Sequence, residues 1–374
     1  MTTAVELLGE LIRFRTVGGG EGAAARHCAT LAEGAGLTTR LLEWEPGREQ
    51  LVARTTGGDG PPLTFTGHLD TVPVAPDDWS VDPWAAARDG DKVVGRGASD
   101  MKSGVAAALA ATVAHAARPH SCRGVQLVLT AGEETGCTGL VRLDAPERDA
   151  IARGGPLVVA EPTANELVLG HKGAHWMRLR ATGRAAHGSA PELGDNAAVR
   201  LARAAVALHD HAGWPRHDRF GPVTANVGVL RGGVAPNVVP DAAELLLDVR
   251  TVPGVDPARL RAQVGLLAGE RVEVADHVVL PPLDTGADDP FVGMVRAALQ
   301  AGGLPDDVAP PARFFTDASV LAGLLGDGDA APTVVLGPGE PDQCHVVDEY
   351  CLATRVEQAV TVYEELLARW CAPA

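Results

Sequence analysis

The sequence predicts an α/β fold: a mostly parallel central sheet flanked by helices, with an inserted ferredoxin-like α+β domain. Three observations support this prediction. Apolar runs that alternate with helical segments are typical of a parallel sheet covered on both faces. A βαββαβ order of elements falls between the third and fourth of these runs. The length of 374 residues exceeds what one core usually organises, which favours two domains.

Four apolar runs are the predicted strands of the central sheet. They are bounded by turn residues and are rich in valine and leucine, which is typical of buried strands. The runs are "PLTFTG" (62–67), "VQLVLTAG" (125–132), "PLVVAE" (156–161) and "PTVVLG" (332–337).

Helical segments surround these strands. The first follows the N-terminus, where Thr3 and Glu6 match a capping box. Another opens with Asp289 as N-cap and Pro290 at the first position, and Gly302 ends it. Helices are predicted over residues 104–117, 288–303 and about 349–370.

The middle of the chain reads as a separate domain. Asp256 and Pro257 open its second helix. The other elements are strand 174–182, helix 195–211, strands 223–230 and 243–251, and strand 271–279. The predicted organisation is a main domain formed by residues 1–172 and 282–374, with residues 173–281 inserted.

Composition and charge exclude several functions. The formal net charge is −16, from 48 acidic against 32 basic residues, which argues against a nucleic-acid partner. No apolar stretch reaches 18 residues, so no membrane span is expected, and the N-terminus lacks the layout of a secretory signal. The cysteines form no CxxC pair, which favours a reducing cytoplasm. They are Cys28, Cys122, Cys137, Cys344, Cys351 and Cys371.

Metal-binding residue types follow each of the four apolar runs. Because ligands in open α/β sheets bind at the carboxyl ends of the strands, these side chains are expected to converge. The residues are His68 and Asp70 after the first run, Glu133 and Glu134 after the second, Glu161 after the third and His345 after the fourth, with Asp100 in the loop "GRGASDMKSG".

Such a cluster requires cations. Carboxylates that lie close together repel one another unless a positive charge holds them. One divalent ion is too few for these ligands, whereas two ions about 3.5–4 Å apart can share one carboxylate. Mixed nitrogen and oxygen ligands favour zinc, cobalt or manganese over magnesium or calcium.

Each residue also has a purely structural interpretation. His68 could be a satisfied core histidine, and the loop around Asp100 could be an ordinary turn, since its glycines lack phosphate-loop spacing. Glu133 and Glu134 could begin a solvated helix. Cys344 could be a soft ligand or a buried thiol. The metal site is favoured because all the ligand candidates fall at the same end of separate strands.

At this point the motifs resemble a known family. "GHLDTVP", "GRGASDMKSG", "GEETG", "AEPT" and "GPGEPDQCHVVDEY" are similar to those of the di-zinc acetylornithine deacetylases, succinyl-diaminopimelate desuccinylases, aminoacylases and glutamate carboxypeptidases. The likeness spans the whole chain. It implies a metal-dependent amidohydrolase that cleaves an N-acyl amino acid, most like acetylornithine deacetylase. The alternatives are a desuccinylase, or a carboxypeptidase or aminoacylase acting on short peptides; a more remote one is a non-catalytic metal-binding protein.

The resemblance also implies roles for individual residues. Asp100 would bridge two divalent ions, with zinc expected and cobalt or manganese as alternatives. Asp70 would hold the far nitrogen of His68, and Glu133 would be the general base. The two ions would be completed by His68 and Glu161 on one side, and by Glu134 and His345 on the other. A cis peptide is expected between Asp100 and Met101.

The inserted domain would act as a lid and dimerisation domain. His187, in "GRAAHGSAP", would reach across a homodimer interface and stabilise the oxyanion. Asn237 and Arg250 would hold the substrate carboxylate, although Arg250 could equally form a salt bridge at the end of its strand. Cys344 stands where relatives often carry a smaller residue.

Overall fold

A computed structural model describes residues 2–55, 60–117 and 124–372; Cys122 lies outside these ranges. The chain forms two compact units. The second unit begins two residues before the predicted start of the insertion and its main segment ends two residues after the predicted end. The sequence predicts residues 311–315 in the main domain, whereas in the structure they group with the second unit. The first unit is Met1–Gly170, Asp284–Pro310 and Thr316–Ala374, and the second is His171–Leu283 and Pro311–Phe315.

The predicted helices, apart from the C-terminal one, begin and end within two residues of the predicted positions. The N-terminal helix has the predicted capping box between Thr3 and Glu6, and Asp289 caps the helix that starts at Pro290. The helices are α1 (Ala4–Arg13), α2 (Glu21–Gly34), α3 (Ser103–Ala116), α4 (Thr138–Val141), α5 (Ala145–Arg148), α6 (Ala197–Asp210), α7 (Pro257–Ala268), α8 (Pro290–Ala301), α9 (Ala318–Leu325) and α10 (Ala353–Trp370). Helices α2, α4, α5 and α9 are additional to those predicted. Among the described residues, none of the helices α1–α10 combines the length and apolar character needed to cross a membrane.

The strands include all those predicted, the additional strands Thr38–Glu45 and Arg48–Arg54, and several short additions. They are β1 (Thr38–Glu45), β2 (Arg48–Arg54), β3 (Leu63–His68), β4 (Ala87–Asp89), β5 (Lys92–Val94), β6 (Val125–Thr130), β7 (Leu157–Val159), β8 (Leu167–Val168), β9 (Gly170–His171), β10 (Gly173–Thr182), β11 (Arg216–His217), β12 (Gly221–Pro222), β13 (Thr224–Gly232), β14 (Ala242–Thr251), β15 (Val272–Leu280), β16 (Leu283–Asp284), β17 (Val308–Ala309), β18 (Thr333–Val335) and β19 (Tyr350–Leu352).

The first unit is built on an eight-stranded sheet in the order β1-β2-β6-β3-β7-β18-β8-β17. Its centre is parallel: β3 pairs with β6 and β7, and β7 pairs with β18. The register sets Phe65 beside Leu127 on one side and Val158 on the other. Strands β1 and β2 add an antiparallel edge. The predicted α/β fold with a mostly parallel sheet is confirmed.

Burial explains why the central strands are apolar throughout. Every residue of β3 and β6 is buried, because helices cover both faces of the sheet. On one face the ring of Tyr363, from α10, lies 5.0 Å from that of Phe65, and its hydroxyl donates to the carbonyl oxygen of Leu336. This core fixes the strand ends from which the candidate ligands project.

The second unit has the predicted βαββαβ order. Its sheet is antiparallel, in the order β13-β14-β10-β15. Residues of β14 alternate between buried and part-exposed, and Leu245 and Leu247 pack with Leu201 of α6 and Leu260 of α7. One face of the sheet therefore carries the core of this unit.

The C-terminal helix starts later than predicted. Residues 350–352 form β19, whose Tyr350 pairs with Val94 of β5, and the helix begins at Ala353. The prediction of a helix from about 349 was wrong there because the sequence does not reveal the partner strand.

Candidate metal centre

The parallel strands bring the predicted ligands to one edge of the first unit. His68 is the last residue of β3, and Glu133 follows the end of β6 by three residues. Glu161 lies two residues after β7, and His345 lies in the loop after β18. Because these four strands are neighbours with their carboxyl ends together, residues far apart in sequence meet there.

One group of donors forms around His68. Its Nε2 atom lies 3.1 Å from Oδ1 of Asp100 and 3.8 Å from Oε1 of Glu161. Its Nδ1 atom lies 3.0 Å from the carbonyl oxygen of Asp70. That contact fixes the ring so that Nε2 faces the carboxylates.

A second group forms around His345 and shares Asp100. The Nε2 atom of His345 lies 3.2 Å from Oδ2 of Asp100 and 3.2 Å from Oε1 of Glu134. The two oxygens of the Asp100 carboxylate therefore face different histidines. Three potential ligand atoms, one from each of His68, Asp100 and Glu134, also lie within 4.8 Å of one another.

The spacing and chemistry of these donors fit divalent ions. Two ligands bound tetrahedrally at about 2.0–2.1 Å from zinc lie ~3.3–3.4 Å apart, and the contacts above range from 3.1 to 3.8 Å. Imidazole nitrogens with carboxylate oxygens are a donor set that zinc, cobalt and manganese accept.

The electrostatics of the cluster also favour a cation. Burial, together with neighbouring carboxylates, raises the pKa of Glu133 and Glu161 well above the usual range. Burial alone would raise the pKa of Asp100, but hydrogen bonds from His345 and His68 lower it. Hydrogen bonds to Asp100 and Glu134 raise the pKa of His345 to about 10. Positive charge at this position stabilises the ionised carboxylates.

Asp70 organises the turn that carries the two glutamates. Its Oδ1 accepts from the backbone N–H groups of Gly132 and Glu133 at 2.8 and 3.2 Å, and its Oδ2 accepts from that of Glu134 at 3.1 Å. The nearest atom of Asp70 to the far nitrogen of His68 is its carbonyl oxygen, whereas its carboxylate lies 3.7 Å away. The backbone carbonyl of Asp70, more than its carboxylate, therefore holds Nδ1 of His68.

The peptide bond between Asp100 and Met101 is cis, as the resemblance led us to expect.

Two buried carboxylates beside the cluster escaped the sequence analysis. Asp317 accepts a hydrogen bond from the hydroxyl of Thr130, and burial raises its pKa to about 6. Glu349 contacts the loop that carries Asp100. Glu349 lies in the motif "GPGEPDQCHVVDEY", four residues after His345, and this position could have indicated a role beside the site. Asp317 lies in none of the motifs.

The three predicted lid residues lie in the second unit. The segments of His187 and Asn237 are adjacent, because the N–H of Gly188 donates to the carbonyl oxygen of Asn237 at 2.7 Å. The backbone N–H of Ser189 donates to Nδ1 of His187 at 3.1 Å. Arg250 pairs with Asp248 at 3.0 Å, so the alternative of a strand-end salt bridge is present in the structure.

Comparison with known proteins gives the class and then the family. A mostly parallel sheet whose carboxyl edge gathers histidine and carboxylate side chains defines a candidate metal-dependent hydrolase. The sequence profile of Peptidase family M20/M25/M40 matches residues 64–369, well over half of the chain. The chain belongs to this family.

Individual relatives are distant but similar along nearly their whole length. The acetylornithine deacetylase of Vibrio campbellii is 28% identical over 359 residues, covering 90% of this chain and 88% of the relative. The probable succinyl-diaminopimelate desuccinylase of Staphylococcus aureus is 24% identical over 393 residues, covering 96% and 97%.

Solved structures share the fold. An M20 family metallo-carboxypeptidase from Sulfolobus solfataricus has a TM-score of 0.84 at 20% identity over 99% of both chains. The YXEP protein of Bacillus subtilis, a dinuclear metal binding peptidase from the M20 family, has a TM-score of 0.71 at 14% identity, covering 98% of this chain and 97% of that one.

Proposed function

We propose that this protein is a two-metal amidohydrolase that cleaves the amide bond of an N-acyl amino acid, with an activity like that of acetylornithine deacetylase. One observation carries the proposal: the two oxygens of Asp100 face His68 and His345 separately. That arrangement suits a carboxylate shared by two ions, which we infer to be zinc, with cobalt or manganese as alternatives.

The remaining ligands divide between the two ions. His68 and Glu161 would hold one ion, and Glu134 and His345 would hold the other. When bound, such a pair of ions polarises a carbonyl group and lowers the pKa of a water molecule.

Glu133 is the general base in this proposal. It is buried, and its backbone N–H is held by Asp70, so the side chain starts from a fixed position. It takes a proton from the attacking water and gives it to the departing amine nitrogen.

His187 is proposed to stabilise the negative charge that develops on the carbonyl oxygen. Because its Nδ1 accepts from the N–H of Ser189, the neutral ring carries its proton on Nε2. That N–H is the donor an oxyanion needs. We infer that His187 serves the partner subunit of a homodimer formed through the lid.

Arg250 and Asn237 are proposed to hold the carboxylate of the substrate. The guanidinium of Arg250 can bind a carboxylate with two hydrogen bonds, but it must first leave or share Asp248, 3.0 Å away. Asn237 is exposed beside His187. We also place the enzyme in the cytoplasm, since no disulfide joins the cysteines that the structure describes.

Replacement of Glu133 by Gln tests the mechanism. We expect turnover of N-acetyl and N-succinyl amino acids to fall by about 10²–10⁴-fold, because the proton acceptor is lost. Bound metal, measured by elemental analysis, should stay as in the parent. Glu166→Gln, an exposed neighbour of the Glu161 loop, is the matched control and should keep full activity. Turnover that survives Glu133→Gln with the metals still bound would contradict the proposal.

A further inference from the structure

Glu349 is a fully buried carboxylate whose hydrogen bonds go mostly to backbone groups of one loop. Its Oε1 accepts from the N–H groups of Ser99 and Asp100 at 2.8 and 3.0 Å. Its Oε2 accepts from the N–H of Gly97 at 3.0 Å and from Nη1 of Arg96 at 2.6 Å. Both oxygens are thus used twice.

Further contacts join the same two segments. The carbonyl oxygen of Glu349 accepts from the N–H of Gly95 at 2.8 Å. The hydroxyl of Ser99 donates to the carbonyl oxygen of Tyr350 at 2.7 Å. It also accepts from the N–H of Glu340 at 2.8 Å. Hydrogen bonds therefore connect the loop that carries Asp100 to the segment that carries His345.

We propose that Glu349 is a positioning residue that orients the carboxylate of Asp100 toward both histidines by holding the backbone of its loop. Each backbone N–H that donates to the Glu349 carboxylate fixes the orientation of one peptide plane. One of these N–H groups belongs to Asp100 itself, so its peptide plane directly precedes the Asp100 side chain. A carboxylate that accepts several backbone N–H bonds is a strong anchor, since charged hydrogen bonds are about twice as strong as neutral ones. This inference rests on the proposed two-metal function.

A purely structural role predicts something different. If Glu349 only neutralises Arg96, its replacement lowers stability without changing the affinity for metal. A positioning role predicts weaker binding of both ions, because Asp100 is shared by both.

The test is Glu349→Gln, measured by titration of the metal-free protein with Co²⁺ and visible absorption. Whichever way the amide is turned, its NH₂ faces two donors and cannot accept from them. We expect affinity to fall by about 10–100-fold, the usual effect of losing a residue that orients a ligand. Urea unfolding of the metal-free protein measures the stability separately.

Glu21→Gln is the matched control. Glu21 is also fully buried and is paired with an arginine, Arg48, at 3.0 Å, but it contacts none of the candidate ligands. The Glu21→Gln substitution should lower the free energy of unfolding and leave the affinity for Co²⁺ unchanged. If Glu349→Gln does not fold, Glu349→Asp keeps the charge beside Arg96 but is too short to reach all four donors, and should also weaken Co²⁺ binding.

The outcomes separate the two proposals. A parent protein that binds fewer than two Co²⁺ ions contradicts the metal centre itself. A parent that binds two, with a folded Glu349 variant of equal affinity, overturns only the positioning role.

Discussion

His68 shows how single contacts prepare a metal ligand. A buried imidazole needs a partner for each ring nitrogen. The carbonyl oxygen of Asp70 accepts from Nδ1, which leaves the lone pair of Nε2 directed at Asp100. The buried strand β3 can therefore be followed by polar residues, because His68 and Asp70 both have hydrogen-bond partners nearby.

His171 gives a pH dependence of stability. Burial lowers its pKa to about 4, whereas an unfolded histidine titrates near 6.5. Since the pKa of His171 is lower in the folded state, its contribution to the free energy of unfolding is complete above pH 6.5. This contribution is lost as the pH falls toward 4. From this residue we expect the free energy of unfolding to be about 2 kcal/mol lower at pH 5 than at pH 7.5.

His171→Gln should remove that part of the pH dependence, measured by urea unfolding of chelator-treated protein at both pH values. Glutamine can still donate to the carbonyl oxygen of Lys172, as Nδ1 of His171 does at 2.9 Å. His209→Gln, on the exposed face of α6, should leave the dependence unchanged. An identical pH response in His171→Gln and the parent would refute the assignment.

At this scale the sequence reveals residue types better than partners. The convergence of His68, Asp100 and Glu134 was predictable because each follows a strand or lies in a glycine-rich loop. The fourfold contact of Glu349 was not, because a buried carboxylate is recognised only when its donors are known. Arg250 differs, because a strand-end salt bridge was one of its two expected roles, and Asp248 lies two residues earlier on the same face of the strand.

Helix α3 approaches the sheet closely at Gly104. A β-carbon built at this position would lie 1.9 Å from the carbonyl oxygen of Ala160, directly before Glu161. Gly104→Ala must therefore push the helix and the ligand strand apart. We expect the free energy of unfolding to fall by about 1–3 kcal/mol, together with weaker metal binding, as measured by urea unfolding and Co²⁺ titration.

Gly293→Ala is the matched control for this prediction. Gly293 lies inside α8, and its added β-carbon would meet nothing within 4 Å. Because alanine favours the helix, a gain of about 0.5–1 kcal/mol is expected. If Gly104→Ala is as stable as Gly293→Ala, the close contact between α3 and Ala160 is contradicted.

Elements with a strong internal signal were predictable, and elements defined by a partner were not. Strands β3 and β6 are apolar throughout because both faces are covered, and α8 carries its own start and stop residues. Strand β1 is mostly exposed, so it has no apolar run to reveal it. Strand β19 has three residues and is recognisable only beside β5.

At the scale of the whole molecule, the proposed homodimer makes a quantitative prediction. A variant lacking Glu133 and one lacking His187 should each be inactive. If His187 serves the partner's site, an equal mixture forms heterodimers with one intact site each. Activity should then return to roughly a quarter of the parent's, as the statistics of a two-fold dimer require.

The mixture of Glu133→Gln and His187→Ala is to be assayed after subunit exchange, with light scattering to establish the dimer. Each variant exchanged with itself is the control and should stay inactive. A fully active parent that is monomeric at assay concentration, or a mixture that stays inactive although heterodimers form, would contradict a role for His187 across the interface.

Zinc content per chain is the measurement that bears most directly on this account. After equilibrium dialysis, elemental analysis should find two ions per chain in the parent and in Asp89→Asn, an exposed control. Asp100→Asn should lose both ions together, because the two oxygens of this carboxylate face both halves of the cluster. A parent that retains one ion or none, or an Asp100→Asn protein that keeps both, would contradict the two-metal centre.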